Sequence, residues 1–336
     1  MGFSKGSFII TMPKSWVEKH NLKKGDTISI EEGSNELVFY AGEKEIKKKE
    51  KFISINTKNK NLDRIKAEIV SAYLNNYNTI EIFSETLEDD APIIKGVLRN
   101  LSGMEIIEQT GKRIVAKDLI DVSSISIQSI IRRMDVITRS MIDDTIMCIQ
   151  GKCNPKSISH RDTDVNRLYY LGFRVIKNAI EDPAVMNKLK TNLWNLFNDK
   201  VVLARIEEIA DRQKRVSRLI AEAEFKDSTL KEFKELYEEI KEKYNNVMKA
   251  YYTNDKEIAY DIEVTNRNLI NRCDEFIKKI SEEICLYCIQ MVEKKDSKDS
   301  TILTRKVVIF AAKIAEYTKA TVTFIKHIAR TVLNMD

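Results

Sequence analysis

From residue 169 to the C-terminus this chain has one glycine, Gly172, and one proline, Pro183. Those two residue types are the strongest interrupters of a helix, so their scarcity leaves long helices as the natural outcome. The apolar pattern agrees. Ile127, Ile130, Met134, Ile137 and Met141 mark one seam, and Val202, Ile206, Ile209, Gln213, Val216 and Ile220 another. Val308, Ala311, Ala315, Thr318, Val322, Ile325, Ala329 and Val332 mark a third. Steps of three and four bury a narrow stripe, as antiparallel helix bundles require. The spacing predicts six helices, roughly 123–150, 161–181, 187–224, 227–252, 255–293 and 299–333.

The six divide into two sets of three. A shift of one hundred residues sets DTDVNRL (162–168) beside IEVTNRN (262–268), and a shift of 105 sets RIEEIADRQK (205–214) beside FAAKIAEYTK (310–319). Two near-equal offsets on corresponding helices point to an internal repeat.

The N-terminal third has a different character. In GSFIITMPKSWVEKHNLKKGDTISI, Phe8 to Met12 reads as a strand and Pro13 as the start of a short helix carrying Trp16 and Val17. Lys23-Lys24-Gly25-Asp26 forms a turn, and Thr27 to Ile30 alternates as a second strand. Residues 36–40 close a hairpin, and residues 43–51 form a charged linker. A second unit follows at 52–118 in the order β-α-β-α-β-β, without a glycine-rich phosphate loop or a catalytic motif. Helices are predicted at 62–75 and 91–101, the latter with Pro92 in its first turn.

A chain of 336 residues exceeds one ordinary core, and two or three domains are expected. No apolar run approaches eighteen residues and no secretory leader is visible, so a cytoplasmic protein without membrane insertion is expected. Five irregularly spaced cysteines fit reduced thiols, and Cys285-x-x-Cys288, inside a long helix, reads as core packing. His20, His160 and His327 form no nucleophile–base pattern. Residues 1–24 carry five lysines against one acid, Glu18. So small a basic unit needs a partner subunit to complete a core, and pairing would set lysine-rich edges side by side as a footprint for duplex DNA.

Ser7, the Thr11-Met12-Pro13-Lys14-x-Trp16 block and Leu22 to Thr27 resemble the swapped-hairpin domain of the AbrB/SpoVT family. The resemblance implies an intertwined homodimer that contacts DNA through Lys5, Lys14, Lys23 and Lys24. The basic strand before Gly6-Ser7 is shorter than in that family, being confined to Met1 to Lys5. RIEEIADRQKRVSRLI and RDTDVNRLYYLGFRVI resemble segments of the PhoU family of phosphate-uptake regulators, a pair of three-helix bundles. An AbrB-like domain ahead of a PhoU-like region is the arrangement of archaeal phosphate-uptake regulators.

The expected architecture is multidomain α+β. It comprises a swapped-hairpin domain at 1–42, a small α/β domain at 52–118, and a PhoU-like region at 123–336 divided into bundles at 123–224 and 227–336. The PhoU resemblance also implies a divalent or iron/zinc cluster at the first helical repeat, on Glu207, Asp211, Asp162 and Asn166. Side chains at i and i+4 stand above one another on a helix and can share a hard cation. In the second repeat the corresponding positions hold Ala312, Glu316, Ile262 and Asn266, so that site is largely gone. On a helical wheel both acid pairs of the first repeat fall outward from their seams.

The expected function is a DNA-binding transcriptional regulator of phosphate uptake, its helical half sensing a signal. The alternative is an adaptor that docks a phosphate transporter or a signalling kinase and uses the N-terminal domain only to dimerise. An enzyme, such as a phosphohydrolase using Glu207 and Asp211, is not expected, because outward acids form no concave pocket.

Overall fold

The computed structural model describes residues 2–4, 7–32, 37–41, 50–85, 87–222, 227–293 and 298–335. Side chains are described except at 2–8, 31–32, 281, 283–293 and 298–308. The chain divides into two compact units, Met1–Glu50 and Lys51–Asp336.

In the first unit β1 (Gly2–Ser4) pairs antiparallel with β2 (Ser7–Phe8). The strand anticipated at 8–12 therefore stops at Phe8, and Ile9 and Ile10 remain 51% and 53% exposed. Pro13 precedes α1 (Lys14–Lys19), its carbonyl accepting from the N–H groups of Trp16 and Val17. The turn is closed by Asp26, whose Oδ2 accepts from the Lys23 N–H at 2.6 Å, and Gly25 takes φ +97°. β3 (Ile28–Glu32) and β4 (Leu37–Ala41) form the hairpin, with Ile30 opposite Phe39.

The second unit begins with a four-stranded sheet in the order β5-β6-β8-β7. β5 (Phe52–Asn56) and β6 (Thr79–Phe83) are parallel, joined by α2 (Leu62–Leu74). After α3 (Leu87–Arg99), β7 (Met104–Gln109) and β8 (Arg113–Asp118) complete the sheet as an antiparallel hairpin. This is the anticipated β-α-β-α-β-β order. α3 starts four residues early, so Pro92 lies inside it rather than in its first turn. Leu87 is fully buried and anchors that extra turn, where Glu88, Asp89 and Asp90 complement the positive end of the helix. Ile55, Ile65, Ile69, Tyr73, Ile80, Ile82 and Ile114 form this domain's own core.

The helical region follows. α4 (Ile127–Ile149) is capped by Ser126, and α5 (Pro155–Glu181) by Asn154 with Pro155 at its first position. α6 (Pro183–Lys188) is a short helix that the periodicity did not separate; Asp182 caps it and Pro183 starts it. α7 (Leu193–Glu222), α8 (Asp227–Thr253), α9 (Lys256–Glu293) and α10 (Lys298–Leu333) complete the region. α4, α5 and α7 pack together, as do α8, α9 and α10, while α7 also packs on α10 and α4 on α8. One continuous apolar core runs through both sets. Among the described residues no helix is long and apolar enough to cross a membrane.

The cysteines depart from the expectation of reduced thiols. Cys148, in the last turn of α4, forms a disulfide with Cys153 just before α5. The intervening turn, with Gly151 at φ +81°, reverses the chain and brings the two sulfurs together. Cys273 is a buried free thiol, and the side chains of Cys285 and Cys288 lie outside the described residues.

Candidate functional site

Two groups of residues were singled out by sequence, and the structure treats them differently. Lys14 opens α1, and Lys23 and Lys24 lie in the turn after it; all three are exposed. Lys14 is 90% exposed, with Glu18 at 3.7 Å one turn on. Lys5 lies outside the described residues. None of the described side chains in this unit is buried, although Ile9, Ile10, Ile30, Leu37 and Val38 are large and apolar.

The acids of the first helical repeat come together, but around an ammonium. Lys214 Nζ lies 2.7 Å from Asp162 Oδ2 on α5 and 2.9 Å from Asp211 Oδ1 on its own helix α7. Asn166, one turn beyond Asp162, donates its amide to Asp162 Oδ2 at 3.3 Å. Arg215 Nε holds the other oxygen of Asp211 at 2.6 Å, and Arg212 reaches it at 3.3 Å.

The electrostatics follow from this packing. Burial opposes ionisation of Asp211, yet hydrogen bonds from Lys214 and Arg215 outweigh it and hold the carboxyl below its ordinary range. Burial likewise opposes charge on Lys214, and Asp162 and Asp211 overcome it, raising the ammonium's pKa. Glu207 gains too little from Lys214 to offset its burial and its acidic neighbours. Burial, then the charges of Asp211 and Asp162, push its pKa up to about 7. Tyr169 and Tyr170 are raised by burial and then by Glu207.

The outward placement read from the helical wheel is therefore corrected. Asp162 is buried, and Glu207 and Asp211 are half-buried. A wheel assumes one buried seam per helix, whereas α5 and α7 each touch more than one neighbour and cover the flank of the seam as well. In the second repeat Ile262 and Asn266 are buried, while Ala312 and Glu316 are exposed. Among the described residues no three His, Cys, Asp or Glu side chains are grouped to hold a metal ion. The donor set on α5 and α7 does not fit a metal cluster, because Lys214 already supplies the positive charge its carboxylates require.

Sequence reading missed Lys214 although it lay within the quoted segment; its spacing of three from Asp211 was the available signal. Two buried polar clusters joining the repeats were also missed. Asp135 on α4 accepts from Tyr252 Oη at 2.9 Å and from Arg139 Nε at 2.8 Å, and Arg139 reaches Asn245 at 2.7 Å. Asp199 on α7 accepts from Tyr251 Oη at 2.6 Å and from the Gln128 amide at 3.0 Å. Asp135 and Asp199, acids set among apolar seam positions, were the legible trace of these contacts.

Residues 4–43 match the family described as antidote-toxin recognition MazE, bacterial antitoxin. The N-terminal segment is a MazE/AbrB-like domain. The chain is also similar in structure to PhoU from Pseudomonas aeruginosa, over 62% of this chain and 93% of that one, at 12% identity and a TM-score of 0.42. No curated protein matches the sequence.

Proposed function

We propose that the chain is a homodimeric DNA-binding regulator of phosphate uptake. In this reading the N-terminal unit intertwines with its copy in a second chain and presents Lys14, Lys23 and Lys24 to duplex DNA. The helical half reports phosphate status through a phosphate transporter or a signalling kinase. The observation that carries the reading is that none of the described side chains of the N-terminal unit is buried. Burying side chains the size of Ile9, Ile10, Ile30, Leu37 and Val38 stabilises by roughly 1.5–3 kcal/mol each, and the unit leaves all five exposed. A second copy is the partner that the MazE/AbrB-like match to residues 4–43 favours. The link to phosphate rests on the PhoU-like segments at 161–176 and 205–220. Such a regulator works in the cytoplasm, and Lys214 already balances the carboxylates of Asp162 and Asp211.

The test is duplex binding by the full chain as salt is varied. Contact between several lysines and phosphates gives an affinity that falls steeply as salt rises. The Lys14→Ala, Lys23→Ala and Lys24→Ala triple variant should bind at least tenfold more weakly while remaining dimeric. A monomeric, folded chain at working concentration overturns the reading.

The brevity of β1, the strand before Gly6-Ser7, which spans only Gly2–Ser4, favours a second reading. Here the N-terminal unit only dimerises and the helical half is an adaptor. A dimer with no duplex affinity even at low salt selects it.

A further inference from the structure

The two edges of the four-stranded sheet are finished differently. β7, at one edge, carries a register break between Ile106 and Glu108 and the acidic residues Glu105 and Glu108, devices that discourage strand addition. β5, at the other, pairs with β6 in unbroken register from Phe52 to Asn56 and has no proline. Its Phe52 is 56% exposed.

The ladder shows which backbone groups are taken. Thr79 N–H donates to the Lys51 carbonyl at one end, and Thr57 N–H donates to the Phe83 carbonyl at the other. In a parallel pair, alternate residues bond inward. Residues 51, 53, 55 and 57 are thus used by β6, and the N–H and C=O groups of Phe52, Ser54 and Asn56 face the edge. Among the described residues no further strand pairs there.

Beside this edge lies a groove of about 1030 Å³ between β5, α2 and the end of α5. Its α2 wall presents Ala67 and Ser71, small side chains that leave room for those of an added strand. The groove continues into a hollow of about 560 Å³ walled by Val70, Leu74 and Phe173. Charge is arranged along it in two clusters. Glu68 is held by Lys60 at 2.5 Å and Arg64 at 3.0 Å, and Glu181 by Lys177 at 3.0 Å and Lys51 at 3.7 Å. Four cations face two carboxylates, so each cluster keeps one positive charge in excess.

We propose that β5 is a docking edge for an extended acidic segment of a partner protein, which adds to the sheet as a further strand. Main-chain hydrogen bonds to Phe52, Ser54 and Asn56 supply affinity, and alternate side chains reach the groove and its cationic rim. A five-residue strand spans about 17 Å, which suits a short linear segment rather than a globular face. A single small anion would use the rim and leave the three edge residues unpaired.

The probe is a fluorescein-labelled octapeptide of alternating Glu and Val, titrated against the full chain. Saturable binding is expected, with none for the Lys/Val counterpart. Two further peptides are N-methylated on one or the other set of alternate amides. One should bind like the parent and the other at least tenfold more weakly, because only one set faces β5. Ser54→Pro removes an outward N–H, a change tolerated at an edge, and should weaken binding at least tenfold with an unchanged circular dichroism spectrum. If that variant does not fold, the methylated pair still decides. The Arg64→Glu/Lys177→Glu variant should also bind at least tenfold more weakly. Equal binding by both methylated peptides overturns the proposal in favour of a plain anion site. No peptide binding overturns it, as does an absence of binding combined with altered self-association of Ser54→Pro, which gives the edge to a second copy.

Discussion

Arg174 on α5 and Asp118 at the end of β8 form an ion pair at 2.7 Å, each side chain 1% exposed. Arg174 also donates to Asn76 Oδ1 at 3.2 Å and lies 4.1 Å from the centre of the Tyr73 ring. A helix of the bundle thus places its one fully buried guanidinium against the sheet domain, tying together two otherwise separate cores. Removing one partner of such a pair strands a charge. Arg174→Met is expected to cost about 3–5 kcal/mol, measured by urea unfolding. Arg174→Met/Asp118→Asn should recover much of that loss, since no buried charge is left alone. Equal losses in the two variants would show that the charge pairing is not what matters.

Glu207 makes stability depend on pH. Its folded pKa of about 7 lies above the ordinary 4.5, so between those values the folded chain holds a proton that the unfolded chain has released. This contribution is fully present below pH 4.5 and is lost as pH rises through about 7. Urea midpoints should therefore fall over that interval, and Glu207→Gln should flatten the decline. An identical slope in the variant would assign the effect elsewhere.

Lys214 is the internal counter-ion of Asp162 and Asp211. Lys214→Met is expected to cost about 1–3 kcal/mol, the usual penalty for unpairing buried polar groups. With the ammonium gone, the facing carboxylates become a cation site, so manganese should raise the thermal midpoint of the variant. The unsubstituted chain should not respond. A manganese-dependent rise in the unsubstituted chain would restore the metal assignment.

The Cys148–Cys153 disulfide closes a loop five residues apart in sequence. So short a closure contributes about 2 kcal/mol in the chain-entropy account. Reduction should lower the urea midpoint accordingly and leave that of Cys148→Ala/Cys153→Ser unchanged. Unchanged stability of the natural chain on reduction would mean the link adds nothing.

Much of the fold was legible because it is local. Pro13 marks a helix start and Gly25 a turn, through backbone preferences that act over a few residues, whereas α5 begins at Pro155, ahead of the predicted 161. The seam from Val202 to Ile220 is buried as its spacing indicates. The candidate acids were legible as residues but not as a site. Asp162 and Lys214 are 52 positions apart, and nothing in either segment announces the contact.

The sequence by itself determined the order of strands and helices in the sheet domain, the helical character of everything after it, and that the first forty residues have apolar side chains with too little chain to cover them. Only the tertiary structure decided that Lys214 occupies the space between Asp162 and Asp211, that Arg174 reaches Asp118, and that β5 stands at the edge of its sheet among the described residues. Propensity and periodicity depend on neighbours within a turn or two. Ion pairing, burial and strand exposure depend on which distant segments share a face, and that is set by packing the whole chain.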